Sequence, residues 1–284
     1  MTRPKLINGD VRQVLSELEP ESVQCVVTSP PYWGMRDYGT DGQLGLEGTP
    51  GKFVENMVEV FREIKRLLRK DGTVWINLGD TYGKQVGKGF NTHEEDGTGN
   101  RVTEMQKKHG DIKVKTGLPD KSLVGIPWRV ALALQTDGWI LRSDIIWHKP
   151  NPMPESVKDR PTKSHEYIFL LTKSKKYFYD CEAIKEFSAI DGRAKNKRTV
   201  WSIPTQAYPE AHFATFPEEI PELCIKAGTK TGDLVLDPFV GSGTTCAVAS
   251  RLGRESLGIE LNKEYFKLAR KRCKVDSESL YKYV

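Results

Sequence analysis

Ser29, Pro30, Pro31 and Tyr32 stand together in "TSPPYWGMRDYG", directly after the β-branched run "VQCVV". Such a run reads as a buried strand. Two consecutive prolines fix two φ angles and remove two backbone donors, so the strand cannot continue. The resulting corner presents the outward carbonyls of Ser29 and Pro30, one hydroxyl, and the aromatic faces of Tyr32 and Trp33. This is a stiff set of hydrogen-bond acceptors beside stacking surfaces, although a polyproline turn over two core aromatics would use the same residues.

A second group with chemical content lies near the C-terminus, in "GDLVLDPFVGSGTTCAVASRLG". It reads as a strand ending at Asp237, a turn through Phe239, Gly241 and Gly243, and a helix opening with Thr244 and Thr245. Glycines allow a backbone to approach a ligand closely, and free N–H groups at a helix start attract a carboxylate or phosphate. The turn lacks the third glycine of a dinucleotide fingerprint and the Gly-Lys-Ser/Thr of a phosphate-binding loop, which disfavours hydride transfer and nucleotide hydrolysis. About seventeen residues beyond Gly243, Glu260 in "SLGIEL" ends the next strand-like run and is placed to hold ribose hydroxyls. The spacing suggests an adenosine-containing cofactor.

These groups need a scaffold, and the chain supplies an alternating one. "KLIN", "CVVTS", "TVWINLGD", "SDIIWHK", "EYIFLLTKS", "LVLDPFV" and "SLGIEL" alternate with helical patterns, which argues for a mainly parallel sheet covered by helices. "FVENMVEVFREIKRLLRKDG" has the apolar spacing of a helix, with a basic last turn and a stop at Gly72; "PEEIPELCIKAG" and "TTCAVASRLG" read as helices closed by their glycines. Residues 83–121 break the pattern and read as a mobile insertion, and "TKSKKYFYDCEAIKEFSAIDGRAKNKR" mixes basic and aromatic residues suited to phosphates and stacked bases.

With 284 residues, 38% hydrophobic and 29% charged, the chain has the composition of an ordinary soluble globule, and a net charge of +5 leans only mildly toward polyanions. Five cysteines, at 25, 181, 224, 246 and 273, form no C-x-x-C pair. That argues against a disulfide framework or zinc cluster and fits a reducing, cytoplasmic setting. No spacing implies a metal, and neither a signal peptide nor a membrane-spanning run is visible.

The two chemical groups together resemble those of the DNA amino-methyltransferases, which move a methyl from S-adenosyl-L-methionine to the exocyclic amine of cytosine or adenine. "DPFVGSGTT" is similar to their cofactor loop, and "SPPY" to their catalytic S/D/N-P-P-Y/F/W tetrapeptide. The order, catalytic motif first, resembles the β group. The resemblance implies a circularly permuted, doubly wound Rossmann-like α/β fold over 1–284, with the strands ending at Asp237 and Ser29 side by side. It makes Ser29, Pro30, Pro31 and Tyr32 catalytic, and Asp237, Phe239, Gly241, Gly243, Thr244, Thr245 and Glu260 cofactor-binding. It also places Asp10 of "NGDVRQVLSEL" near the cofactor adenine, brings Asn77 and Asp80 of "NLGD" to the site, and makes "HFATFPEEIPELCI" the helix that closes over the methionine part.

The chemistry agrees, because an exocyclic amine is a poor nucleophile until its hydrogens are accepted and its lone pair is aimed. Ser29 and the Pro30 carbonyl would accept, while Tyr32, helped by Trp33, would stack a flipped base. Ring-carbon methylation would call for a cysteine after a proline, and no cysteine here follows one. Serine at the first catalytic position resembles the cytosine-N4 enzymes, with adenine-N6 as the alternative. An RNA or small-molecule methyltransferase and a catalytically silent nucleic-acid module are weaker readings. The gap between "EYIFLLTKS" and "HFATFP", where the β group usually recognises its target, is short here. Recognition of duplex DNA is therefore expected from 83–121, from 148–165 with His148 and His165, and from 174–200. The resemblance also admits a cognate restriction endonuclease and a homodimer as partners.

Overall fold

The computed structural model describes residues 2–83, 116–188, 191–206 and 216–275. The insertion read over 83–121 lies outside the described residues except at its two ends. The same holds for 212–215, the start of the expected closing helix.

Among the described residues there are ten strands: β1 Lys5–Asn8, β2 Val23–Thr28, β3 Leu68–Leu78, β4 Ile140–His148, β5 His165–Thr172, β6 Glu186–Phe187, β7 Ala194–Lys195, β8 Val200–Ser202, β9 Leu234–Asp237 and β10 Glu255–Glu260, and the seven apolar runs supply all but β6, β7 and β8. Eight join one sheet in the order β1-β10-β9-β2-β3-β5-β4-β8, and β6 with β7 forms a separate hairpin ladder. All neighbours in the large sheet are parallel except those of β5, which runs antiparallel to β3 and β4. The fold is the expected mostly parallel, doubly wound sheet.

Side chains alternate between two cores, as a period of two requires. Val26, Val74, Ile76 and Leu236 face one core together with α1 Val11–Ser16, α2 Pro50–Leu67 and α3 Ile126–Thr136. Cys25, Val27, Trp75 and Val235 face the other, with α4 Glu219–Gly228 and α5 Thr244–Arg251. Every residue of β2 is buried, including Gln24 and Thr28, which explains why its sequence lacks a regular polar alternation. The last helix, α6 Lys263–Arg272, sends Ala269 to a small cluster with Val240 and Cys246.

Two helix ends differ from the sequence expectation. Helix α2 stops at Leu67, not at Gly72, because Leu68 turns extended (ψ 135°) and pairs with Val23. Gly72 instead lies where a Cβ would fall 2.7 Å from Leu68 Cδ1 and 2.8 Å from the Gln24 carbonyl, so close strand packing explains it. Gly228 has no left-handed φ; a Cβ there would meet Thr73 Oγ1 at 2.5 Å. Of the three helices expected to end on glycine, the one before Gly253 (φ 75°) does so with that residue left-handed.

β9 runs on toward β10 on one side of the sheet, while β2 runs on toward β3 on the other. Their neighbouring C-terminal ends are thus the point where the winding reverses, where such sheets bind ligands. The loops after Thr28 and Asp237 flank it. The sequence-based pairing of the strands ending at Asp237 and Ser29 holds: Cys25 and Val26 stand opposite Val235 and Leu236.

Candidate active site

Asp237 joins the two loops. Its Oδ1 accepts from Thr28 Oγ1 at 2.7 Å and from the Phe239 amide at 3.1 Å, and the Thr245 hydroxyl also bonds its carboxyl. The residue is 1% exposed, and burial pushes its carboxyl up to about 6, against the pull of these three donors. Asp237 therefore sets the spacing between the Ser29 corner and the glycine turn from inside, and does not present itself to a ligand.

Glu260, at the end of the next strand, accepts from the amides of Gly241 at 2.9 Å and Asn262 at 2.8 Å. Burial raises its carboxyl to about 7, the two amides partly opposing. A carboxylate has about four acceptor positions, so hydroxyl groups can still bind beside the two amides. At Gly241 (φ 52°) a Cβ would meet nothing closer than the Phe239 carbonyl at 4.0 Å, so its backbone is open to a ligand. Tyr38 meets Tyr265 edge to face at 5.8 Å, and Asn262 Nδ2 donates to the Tyr38 carbonyl, holding the 38–40 loop beside Glu260.

Other residues expected at the cofactor are committed elsewhere. Gly243 (φ 88°) abuts α6: its left-handed backbone and a Cβ that would lie 3.0 Å from Ala269 Cα both require glycine there. The Thr244 hydroxyl accepts from Arg272 Nη1 at 2.9 Å, and Arg272 also pairs with Glu218. The Thr245 hydroxyl also lies 3.3 Å from the Val27 carbonyl, so its one hydrogen is shared between that carbonyl and Asp237. These threonines brace the start of α5, whose first backbone amides receive no side-chain cap from Gly243. Asp10 caps α1 through the Arg12 amide at 2.8 Å and pairs with the Arg12 guanidinium, which holds its carboxyl below the ordinary 3.8. It nevertheless shares the strand-end edge with Glu260, since Asn8 stands opposite Glu260.

At the corner itself, Ser29 Oγ lies 3.3 Å from both Tyr32 Oη and Asn77 Oδ1. Tyr32 Oη is 2.6 Å from Glu166 Oε2 and 3.0 Å from Asn77 Oδ1, and Asn77 Nδ2 donates to Glu166 Oε2 at 3.0 Å and to the Tyr167 carbonyl at 3.2 Å. Lys149 Nζ pairs with Glu166 Oε1 while sitting 4.3 Å from the Trp147 ring centroid. Burial and Glu166 push the Tyr32 phenol well above its ordinary value. The Tyr32 ring lies over Gly79, where a Cβ would fall 2.5 Å from it.

Trp33 does not join the site. It is 1% exposed in the core, with its indole N–H on the Glu47 carbonyl, because the chain turns inward after the prolines. Asp80 is also used elsewhere, since it accepts from the amides of Gly125 and Ile126 and thereby caps α3. Asn77 is the residue of "NLGD" that reaches the corner.

Glu166 and Lys149 escaped the sequence reading. A charged residue opening the apolar run "EYIFLLT" was the signal, and only the antiparallel pairing of β5 with β3 brings it beside Asn77. His148 and His165 stand opposite each other at the same strand ends, with His148 Nδ1 3.1 Å from Ser202 Oγ. In "GRAKNKR", Lys197 and Arg198 both pair with Glu186, so that cluster is less positive than its letters suggest.

A family model for DNA methylases of the N6/N4 type matches residues 23–271. The type II methyltransferase M.SmaI of Serratia marcescens is 51% identical over 270 residues, covering 94% of this chain and 90% of that protein. M.Cfr9I of Citrobacter freundii is 50% identical over 271 residues, covering 93% and 85%. Among solved structures, a DNA modification methylase of Thermus thermophilus, complexed with S-adenosyl-L-methionine, matches with TM-score 0.63 at 27% identity over 95% of this chain and 93% of that one. The cytosine-N4-specific PvuII DNA methyltransferase has the same fold, with TM-score 0.70 at 21% identity over 96% and 86%.

Proposed function

The chain belongs to the family of N6/N4 DNA methylases, S-adenosyl-L-methionine-dependent DNA methyltransferases, and on that premise we propose that it methylates the N4 amine of cytosine in duplex DNA. The observation that carries this reading is the 2.7 Å bond from Thr28 to Asp237, which fastens the Ser29 corner to the loop that would hold the cofactor. Ser29 as the first residue of the tetrapeptide favours cytosine over adenine.

In this reading Ser29 Oγ and the Pro30 carbonyl accept the hydrogens of the amine and concentrate its lone pair on nitrogen. The two prolines keep these acceptors from relaxing. Tyr32, its ring braced by Gly79 and its hydroxyl by Glu166, forms the wall against which the flipped base stacks. Bound S-adenosyl-L-methionine supplies an electrophilic methyl on a sulfonium. The open Gly241 backbone, Phe239, the start of α5 and the Glu260 carboxylate suit an adenosine with a ribose diol and an amino-acid tail. Asp10 acts from the same edge, and Asp237, Gly243, Thr244 and Thr245 hold the cradle in shape.

Glu260 carries a pH signature. If its carboxylate form accepts the ribose hydroxyls, cofactor affinity rises with pH through about 7 and levels off above, with proton release on binding. Calorimetry across pH 6 to 8 in buffers of different ionisation enthalpy checks this, and Glu260→Gln should abolish the dependence. A flat profile in the native protein would remove Glu260 from the cofactor site.

We read 1–284 as one domain. Segments 148–165 and 174–200 are the proposed DNA-contacting surfaces, supported by His148 and His165 at paired strand ends, by the exposed Lys158 in the connection between them, and by the exposed Arg193 of the hairpin loop. A cognate endonuclease fits the type II designation of the relatives, a second copy of the chain is an admissible partner, and the cytoplasm, where bacterial DNA lies, is the proposed compartment.

Digesting methylated duplex DNA to nucleosides and identifying the product by mass spectrometry tests the proposal. N4-methylcytosine is expected, and replacing all five cysteines should leave the chemical step intact in a folded variant. N6-methyladenine would refute the base assignment alone, whereas 5-methylcytosine would overturn the mechanism. Burial supports the expectation for the thiols: Cys25 is pushed up to about 12, and Cys224 and Cys246 well above their ordinary value.

A further inference from the structure

We propose that Glu166 is a positioning residue that sets the direction of every hydrogen bond at the corner, so that Ser29 meets the substrate amine as an acceptor; this rests on the reading of Ser29 above.

The number of hydrogens each group carries fixes the directions. Glu166, ion-paired with Lys149, is an acceptor with nothing to donate. Its Oε2 faces Tyr32 Oη at 2.6 Å and Asn77 Nδ2 at 3.0 Å, so both neighbours must donate to it. Tyr32 has a single hydrogen, and committing it to Glu166 leaves only lone pairs toward Ser29. Asn77 has two orientations, but its Nδ2 lies between Glu166 Oε2 and the Tyr167 carbonyl at 3.2 Å, two acceptors that the reverse orientation would set against its own oxygen. Asn77 Oδ1 is therefore the end that faces Ser29.

Ser29 now has two inner neighbours at 3.3 Å, Asn77 Oδ1 and Tyr32 Oη, and neither has a hydrogen to offer. Whichever it chooses, its own hydrogen points inward and its lone pairs point away from the protein. A hydroxyl left free to rotate would spend part of its time donating, which repels the N–H groups it must hold. The carboxylate thus acts through two intermediaries on an oxygen it does not touch, and Lys149, fixed against Trp147, anchors the carboxylate.

Glu166→Gln tests this with little change of shape. The amide puts a donor where only an acceptor stood, so Tyr32 no longer gives its hydrogen to residue 166 and can turn it toward Ser29, and kcat should fall about 30-fold while the DNA KM and cofactor affinity stay within about two-fold. Adding Asn77→Asp restores an acceptor-only group beside Ser29, now bonded by the new amide, and kcat should return to within about five-fold of the native value. A role in packing alone predicts the opposite, a double variant no better than the single one, and that result would overturn the proposal. So would native kcat in Glu166→Gln. If the single variant fails to bind cofactor, the double variant decides: recovery of activity supports the inference, and a folded but inactive enzyme refutes it. Full activity in Ser29→Ala would instead strike the underlying reading of the corner.

Discussion

Ser29→Ala is expected to lower the rate of methyl transfer by about 100-fold, the loss typical of removing one preorganised polar group from a reacting centre, while S-adenosyl-L-methionine affinity stays within about two-fold. The hydroxyl sits on the corner after β2, 3.3 Å from Asn77 Oδ1, and its oxygen contributes nothing to the Asp237 and Glu260 contacts that shape the cofactor loop. Loss should therefore fall on chemistry. Single-turnover transfer of a labelled methyl, with enzyme in excess of DNA, separates the chemical step from binding and product release. Equal rates for the variant and the native enzyme would remove Ser29 from catalysis and leave the Pro30 carbonyl as the remaining acceptor.

Asp237→Ala should be the most damaging change away from the corner. It strands the Thr28 hydroxyl, the Phe239 amide and part of the Thr245 bonding in an interior where the carboxyl is only 1% exposed. At about 1 to 3 kcal/mol for each buried group left unsatisfied, the native state should lose roughly 3 kcal/mol. With the tie between β2 and β9 gone, cofactor affinity should drop at least about ten-fold, near 1.4 kcal/mol. Thr28→Val, which removes one donor and keeps the shape, should show a smaller loss of the same kind. Denaturant unfolding and calorimetry measure both quantities, and unchanged cofactor affinity in a folded Asp237→Ala protein would deny the tie its function.

The same carboxyl has a stability signature. Its folded value of about 6 exceeds the ordinary 3.8, so the native state holds a proton more tightly than the unfolded chain does. The contribution of this group to stability is therefore greatest below about pH 4 and declines as pH rises toward about 6, a slope that Asp237→Ala should erase.

Much of the molecule was legible as letters because its determinants are short in range. Two prolines end a strand wherever it lies, and a mostly apolar run such as "VQCVV" needs cover on both faces. From these came the strands, the corner at Ser29 and the glycine turn, while their placement on neighbouring strands was implied by the family resemblance. What had to be corrected concerned residues whose local signal admits two uses. Gly72 looked like a helix stop, and it is a close approach to the Gln24 carbonyl. Trp33 looked like a stacking partner of Tyr32, and the turn after the prolines carried it into the core.

The sequence by itself determined a stiff acceptor corner after one strand and a glycine turn after another, since strand patterns and turn residues act within a few positions of themselves; that the two share one sheet edge was implied only by the family resemblance. Only the tertiary structure decided what holds and orients them. The Thr28–Asp237 bond spans 209 residues of sequence and the Asn77–Glu166 bond 89. Such pairs form or fail with strand order and register, where a shift of one residue turns a side chain to the opposite face.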